Sequence, residues 1–248
     1  MENNWINIEG DLISLEDTPG LLQDLDLMPL FLRRYFESKF TKDIQPSREE
    51  QINFQKNFMA RENITDKESL DNWIKVRGIT ESHLTQNIFK TLKLEMFKKA
   101  KFNDYVEKVF LQRKSDLDRV TYSLIRAKKR EKIVELNLRL KEEEATFSEL
   151  STEFSEGIEN VLNGLIGPIE LGQVNPNIAE RLKSSNPGQL WPPFELENWW
   201  VLLRLERFIA ATLNDAMRNR LINEMYESWI MEKIKSTLDN LNKNSKGK

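Results

Sequence analysis

Apolar residues recur at helical spacing through the first part of the chain, switch to a period of two near Arg119, and return to helical spacing near Leu213. Pro29 suits a first helical turn, where its missing N–H costs nothing. Leu30, Phe31, Arg34, Tyr35 and Ser38 then share one side of a helix over about 29–40. Ser47 with Glu50 and Thr65 with Glu68 each have capping-box spacing. Gly78 supplies a left-handed stop, and Thr80 caps a helix in which Leu84, Ile88, Leu92 and Met96 recur every fourth residue. A last helix of this series runs from about Asn103 through Leu117, so the start of the chain reads as wholly helical.

From Arg119 the run Val120-Thr121-Tyr122-Ser123-Leu124-Ile125 alternates β-branched and aromatic positions, which predicts a strand. Helices over about 128–144 and 147–155 follow, then a strand over 165–171 entered through Asn163-Gly164, then a helix over 177–185. Segments 193–197 and 199–207 predict a hairpin turning at Glu197-Asn198. Leu213, Met217, Leu221, Met225 and Trp229 lie four apart, with Ile222 and Ile230 beside them, on a final helix whose stripe needs a partner. The helices before residue 118 carry the matching stripes. This organises the chain as a helical module at 1–117, a strand-containing insertion at 118–212, and a returning helix at 213–248 with a polar, frayed tail from Asn240.

Composition narrows the chemistry. The chain is 31% charged with a formal net charge of -3, so neither nucleic acid nor anionic lipid is attracted globally. With no cysteine and a single histidine, His83, disulfides, thiolate nucleophiles and multi-histidine metal sites are excluded. No cofactor is expected. Nothing approaches the ~20 apolar residues of a membrane span, and the start Met1-Glu2-Asn3-Asn4-Trp5 lacks basic and apolar targeting regions, so the chain as written reads as cytoplasmic.

The order strand, helix, helix, strand, helix, strand, strand resembles the parvulin-type prolyl isomerases. Phe147-Ser148-Glu149-Leu150 followed by Phe154-Ser155-Glu156 looks like the family's F-x-x-L-A-x-x-Y-S helix. Asn163-Gly164-Leu165-Ile166-Gly167 stands where the family has Gly-Gly-Asp-Leu-Gly, and Gly172-Gln173 matches its Gly-Gln. Pro187-Gly188-Gln189-Leu190 with Pro192-Pro193 resembles its approach to the final hairpin. The helical remainder looks, at the level of architecture, like the chaperone module of exported foldases of this type. The resemblance implies an α+β fold, a four-stranded antiparallel parvulin-like sheet with helices set into an all-α module. It also implies a peptidyl-prolyl cis-trans isomerase-like foldase acting on unfolded or proline-containing polypeptides.

Isomerising an Xaa-Pro bond means crossing an amide barrier of ~18–20 kcal/mol with no bond made or broken. The catalyst needs an apolar grip on the ring, a poorly hydrated place for the twisting amide, and polar groups that favour the twisted state. Carried over by resemblance, the proline pocket falls on Ile169, Val174 and Ile178. The family's histidine positions fall on Tyr122 and Val201, and its cysteine or aspartate position on about Gly157. Tyr122 and Asn198 are the catalytic candidates, with Asn175 beside the pocket as a peptide-binding group. This is a depleted version of the family's site. It leaves three classes open: an isomerase, a non-catalytic peptide-binding chaperone, and an accessory to a secretion or maturation machinery.

Other conspicuous residues have plainer readings. Trp199 and Trp200 point to opposite faces of their strand; at least one is core and the other is a candidate for the peptide groove, with core the favoured reading for both. Lys98, Lys99 and Lys101, and the run Arg126, Lys128, Lys129, Arg130 and Lys132, could serve acidic peptides, but the second run is followed by Glu142, Glu143 and Glu144 on the same predicted helix, and the solvated face is the favoured reading. His83 falls in the first turn after the Thr80 cap, a surface position.

Overall fold

In the computed structural model, residues 4–9, 11–14 and 16–245 are described. The chain divides into two compact units, one formed by residues up to Val106 together with those from Arg218 on, the other by Glu107–Met217.

The first unit opens with a hairpin absent from the helical expectation: β1 (Asn4–Ile8) pairs antiparallel with β2 (Asp11–Ser14). The adjacent apolar pairs Trp5-Ile6 and Leu12-Ile13 break the alternation that would mark these strands. Helices α1 (Thr18–Asp24), α2 (Met28–Thr41), α3 (Arg48–Arg61), α4 (Lys67–Arg77) and α5 (Glu81–Phe102) follow. The capping box at Ser47 and Glu50 forms as expected. The expected box at Thr65 and Glu68 forms one residue later, with Asp66 as cap and Ser69 as its reciprocal partner, because the short Asp66 side chain accepts directly from the Ser69 N–H at 2.8 Å. Gly78 ends α4 in the left-handed region, φ 61°, and Thr80 caps α5 by accepting from the His83 N–H. Leu84, Ile88 and Leu92 form the buried stripe of α5.

A single-turn 3₁₀ segment at Asn103–Tyr105 leads into α6 (Val106–Leu117). Strand β3 (Arg119–Ala127) is followed by α7 (Arg130–Lys141), α8 (Phe147–Phe154), β4 (Leu165–Glu170), α9 (Pro176–Lys183), β5 (Phe194–Leu196), β6 (Trp199–Ile209) and α10 (Asp215–Ser245). Because α7 ends at Lys141, Glu142, Glu143 and Glu144 fall in the turn after it, not on the same helix as the basic run.

The second unit is built on an antiparallel sheet in the order β4-β3-β6-β5. β3 and β6 are central, so alternate side chains are buried on both faces, and each fully buried aliphatic contributes ~1.5–3 kcal/mol. On one face Tyr122, Leu124, Val201, Leu203 and Leu205 pack with Ile178, Ala179 and Leu182 of α9. On the other, Ile125, Ala127 and Leu202 pack with Ile133 and Leu136 of α7 and with Phe147 and Leu150 of α8.

Within the first unit α10 lies against α2 and α5. Trp229 gathers Phe40, Phe97, Phe102 and Tyr226 around its ring, with Phe40 at 4.9 Å between centroids. Arg33 pairs with Glu227, and Lys98 donates to Asn223 at 2.9 Å. Lys98 is therefore a packed side chain rather than a solvated one. The buried stripe of α10 is Leu221, Ile222, Tyr226, Ile230 and Ile234: Leu221, Ile222 and Ile230 are as expected, Tyr226 and Ile234 join them, and Met217, Met225 and Trp229 are half-buried at its margin. Residues 240–245 of the tail are helical, and 246–248 lie outside the described residues. Among the described residues no helix is long and apolar enough to cross a membrane, and no group of three His, Asp or Glu side chains could hold a metal ion.

Candidate functional site

The period-two pattern of β3 places Tyr122, Leu124 and Arg126 on one face, in register with Leu205, Leu203 and Val201 of β6. On that face the start of α9 and the β5–β6 hairpin close a cavity of about 270 Å³. Its walls are Tyr122, Leu124 and Arg126 from β3, Ile166 from β4, Asn175 and Ile178 at the start of α9, and Leu196, Glu197, Trp199 and Val201 from the hairpin. Asn175 caps α9 by accepting from the Asn177 N–H, and its amide donates to Glu197 Oε1 at 3.4 Å.

Of the residues named from the sequence, Tyr122, Asn175, Ile178 and Val201 meet in this cavity. Val174 is buried against the core and lines a separate groove with Asp116, Pro176 and Lys183. Ile169 packs half-buried against the same core, outside the cavity lining. Asn198 is exposed at the hairpin tip, where its carbonyl accepts from Lys128 Nζ at 3.3 Å. Gly157 has extended backbone, and a Cβ there would run into the Arg126 guanidinium and the Glu159 carboxylate.

Those two charges form the electrostatic centre of the site. Arg126 Nε donates to Glu159 Oε1 at 2.8 Å and Oε2 at 2.9 Å, and the Ser155 hydroxyl donates to Oε1 at 2.6 Å. Burial alone would push the Glu159 carboxyl up; the hydrogen bonds from Arg126 and Ser155 outweigh it and hold the group below the usual carboxylate value. The Arg126 guanidinium is stabilised in its charged form chiefly by its hydrogen bond with Glu159. Burial raises the Tyr122 phenol above its ordinary value, so it stays protonated at neutral pH and can donate. Among the described residues its hydroxyl has no protein partner, and Nη1 of Arg126 has no oxygen partner.

Arg126 and Glu159 were not among the residues singled out for the site. Its charge argues for a solvated basic run, although Arg126 stands two and four residues after Leu124 and Tyr122 on the inward face of the strand. Glu159 had no sequence signal, since its partner lies 33 residues away. Of the two tryptophans, Trp199 is the one at the groove. It forms part of the cavity wall, with Lys128 Nζ 3.6 Å from its ring centroid, whereas Trp200 packs on the opposite face beneath Arg130.

Residues 122–207 match the family model described as rotamase, the PPIC-type PPIASE domain. The match begins at the cavity's tyrosine and ends in β6, so the parvulin resemblance read from the motifs holds over that segment. Among solved structures, a peptidylprolyl isomerase (PrsA) from Bacillus cereus is similar at 15% identity and TM-score 0.47, over 96% of this chain and 92% of its own. One of the SurA-like chaperones of Campylobacter jejuni is similar at 13% identity and TM-score 0.38, over 98% and 97%. The parvulin domain of PpiD from E. coli is similar at 22% identity and TM-score 0.33, over 40% and 95%. The curated proteins contain no match.

Proposed function

We propose that this protein is a peptidyl-prolyl cis-trans isomerase-like foldase whose clients are polypeptides, working through a histidine-free site. The carrying observation is the cavity inside the rotamase segment, apolar on most of its wall and provided with two unspent donors, the Tyr122 hydroxyl and Nη1 of Arg126. At about 270 Å³ it lies just under the size of sites for drug-sized ligands (~300–1,000 Å³), which suits one pyrrolidine ring with its peptide unit.

A planar amide delocalises the prolyl nitrogen's lone pair into the carbonyl, and twisting returns that pair to nitrogen. Ile178, Val201, Leu124 and Ile166 hold the ring and keep water from the amide, which disfavours the more polar planar form. A donor fixed beside the bond then gains strength as the nitrogen becomes a better acceptor, so its interaction is larger in the twisted state than in the ground state. Tyr122 and Arg126 supply such donors, and the buried Glu159 keeps Arg126 from swinging away.

The absence of histidine from the cavity favours a second reading, a peptide-binding chaperone without turnover. Exposed Leu30, Phe31 and Tyr35 on α2 suit contact with unfolded clients in either case. A protease-free NMR exchange measurement on a panel of Xaa-Pro peptides separates the two. Accelerated exchange by the intact chain, reduced in a folded Ile178→Ala variant, supports the isomerase. No acceleration across the panel overturns it and leaves binding without turnover.

A further inference from the structure

The segment between α8 and β4 inverts the usual arrangement of a protein surface. From Gly157 to Gly164 the one charged residue, Glu159, is 1% exposed, whereas Ile158, Val161 and Leu162 are 82%, 78% and 61% exposed. From Gly157 to Ile169 Glu159 is the only charged residue, in a chain that is 31% charged. Leaving three branched aliphatic side chains in water forgoes the stabilisation their burial would bring, and grouped exposure of this kind marks a contact surface.

The loop is also held still. Arg126 and Ser155 grip the Glu159 carboxylate, the Glu156 N–H donates to the Arg126 carbonyl at 2.9 Å, and the Gly164 N–H donates to the Glu159 carbonyl at 2.8 Å. The apolar side chains are therefore presented on a fixed frame, which lowers the ordering cost of binding to them.

Both ends of the loop join the cavity wall. Arg126, which the loop clamps, lines it, and so does Ile166, the second residue of the strand that the loop enters. β4 is an edge strand, so chain emerging from the cavity on that side meets no further strand.

We infer that Ile158, Val161 and Leu162 form a subsite for an apolar side chain of the same extended peptide whose proline occupies the cavity, close to that proline in sequence. The inference rests on the peptide-binding reading above and narrows it: clients are selected for an aliphatic or aromatic residue close to the proline.

The test uses the intact chain with methyl-labelled Ile, Leu and Val. It is titrated with short peptides that carry one proline and either Leu or Ser at each of the two positions before and after it. At one of those positions Leu should tighten binding about tenfold over Ser, as expected for burying one side chain. Methyl signals of Ile158, Val161 and Leu162 should move together with that of Ile178. In Val161→Ser/Leu162→Ser, which alters only exposed side chains, the preference should fall to about twofold or less.

Movement at Ile178 with no Leu preference and no response from the loop methyls overturns the subsite and leaves the cavity reading intact. Loop signals that shift with protein concentration in the absence of peptide also overturn it, in favour of contact with a second copy. No response at either place overturns both readings. A Leu preference without accelerated exchange keeps the subsite and removes the isomerase.

Discussion

Arg126 and Glu159 are joined by a two-point ion pair, Nε of one lying 2.8 and 2.9 Å from the two carboxylate oxygens of the other, and it ties β3 to the loop that precedes β4. The partners are unequally placed. The Glu159 side chain is fully buried, while about a third of the Arg126 side chain reaches solvent. Arg126→Ala strands a buried carboxylate and should cost about 3 kcal/mol. Glu159→Gln leaves a guanidinium that water can still reach, and should cost about 1–2 kcal/mol. Urea denaturation of the two variants should show that order; the reverse would mean that the pair does not hold the loop.

Because Glu159 is held below its ordinary value of 4.5 when folded, the unfolded chain binds more protons in acid. The pair's contribution is complete above about pH 4.5 and is lost as pH falls through the lower, folded value. The melting temperature of the native chain should therefore fall more steeply below that pH than that of Glu159→Gln. Parallel curves would show that Glu159 does not titrate as described.

Tyr122→Phe removes a hydroxyl that no protein group uses among the described residues. Stability should change by no more than about 0.5 kcal/mol. If the hydroxyl serves the twisting amide, kcat/KM in the exchange assay should drop about tenfold, the worth of one hydrogen bond. An unchanged rate would leave Arg126 as the remaining donor.

Trp229→Ala empties the centre of the aromatic cluster formed by Phe40, Phe97, Phe102 and Tyr226, and should cost about 3 kcal/mol. The loss should appear in far-ultraviolet circular dichroism as an early transition of helix. The methyl signals of Leu203 and Leu205, in the other unit, should keep their native positions through that transition.

What could be read from the sequence was what neighbouring residues decide. Ser47 with Glu50, Gly78 and Thr80 act on backbone within a few residues of themselves, and they sit where their spacing put them. The inward face of β3 follows from its alternation, which placed Tyr122 correctly and would have placed Arg126 had its charge not argued for solvent. The rest depends on partners far along the chain. An acidic residue on a short 3₁₀ turn carries no sign that it will be buried, because the guanidinium that makes burial tolerable belongs to another strand. The spacing on α10 marks Leu221, Ile222 and Ile230 but not Tyr226 or Ile234, for the same reason. Which of several apolar residues turns innermost is set by α2 and α5, not by spacing within the helix.

The two-part make-up of the helical unit bears on the order in which the molecule assembles during synthesis. The sheet-bearing unit is one continuous stretch, Glu107–Met217, and all its strand pairings can close once that stretch has left the ribosome. The helical unit has to wait for α10. Until Trp229 and Tyr226 arrive, Phe40, Phe97 and the other apolar residues they cover stand open. A chain stalled before α10 would thus carry a finished sheet beside sticky, half-built helices, the kind of nascent species that itself calls for a chaperone.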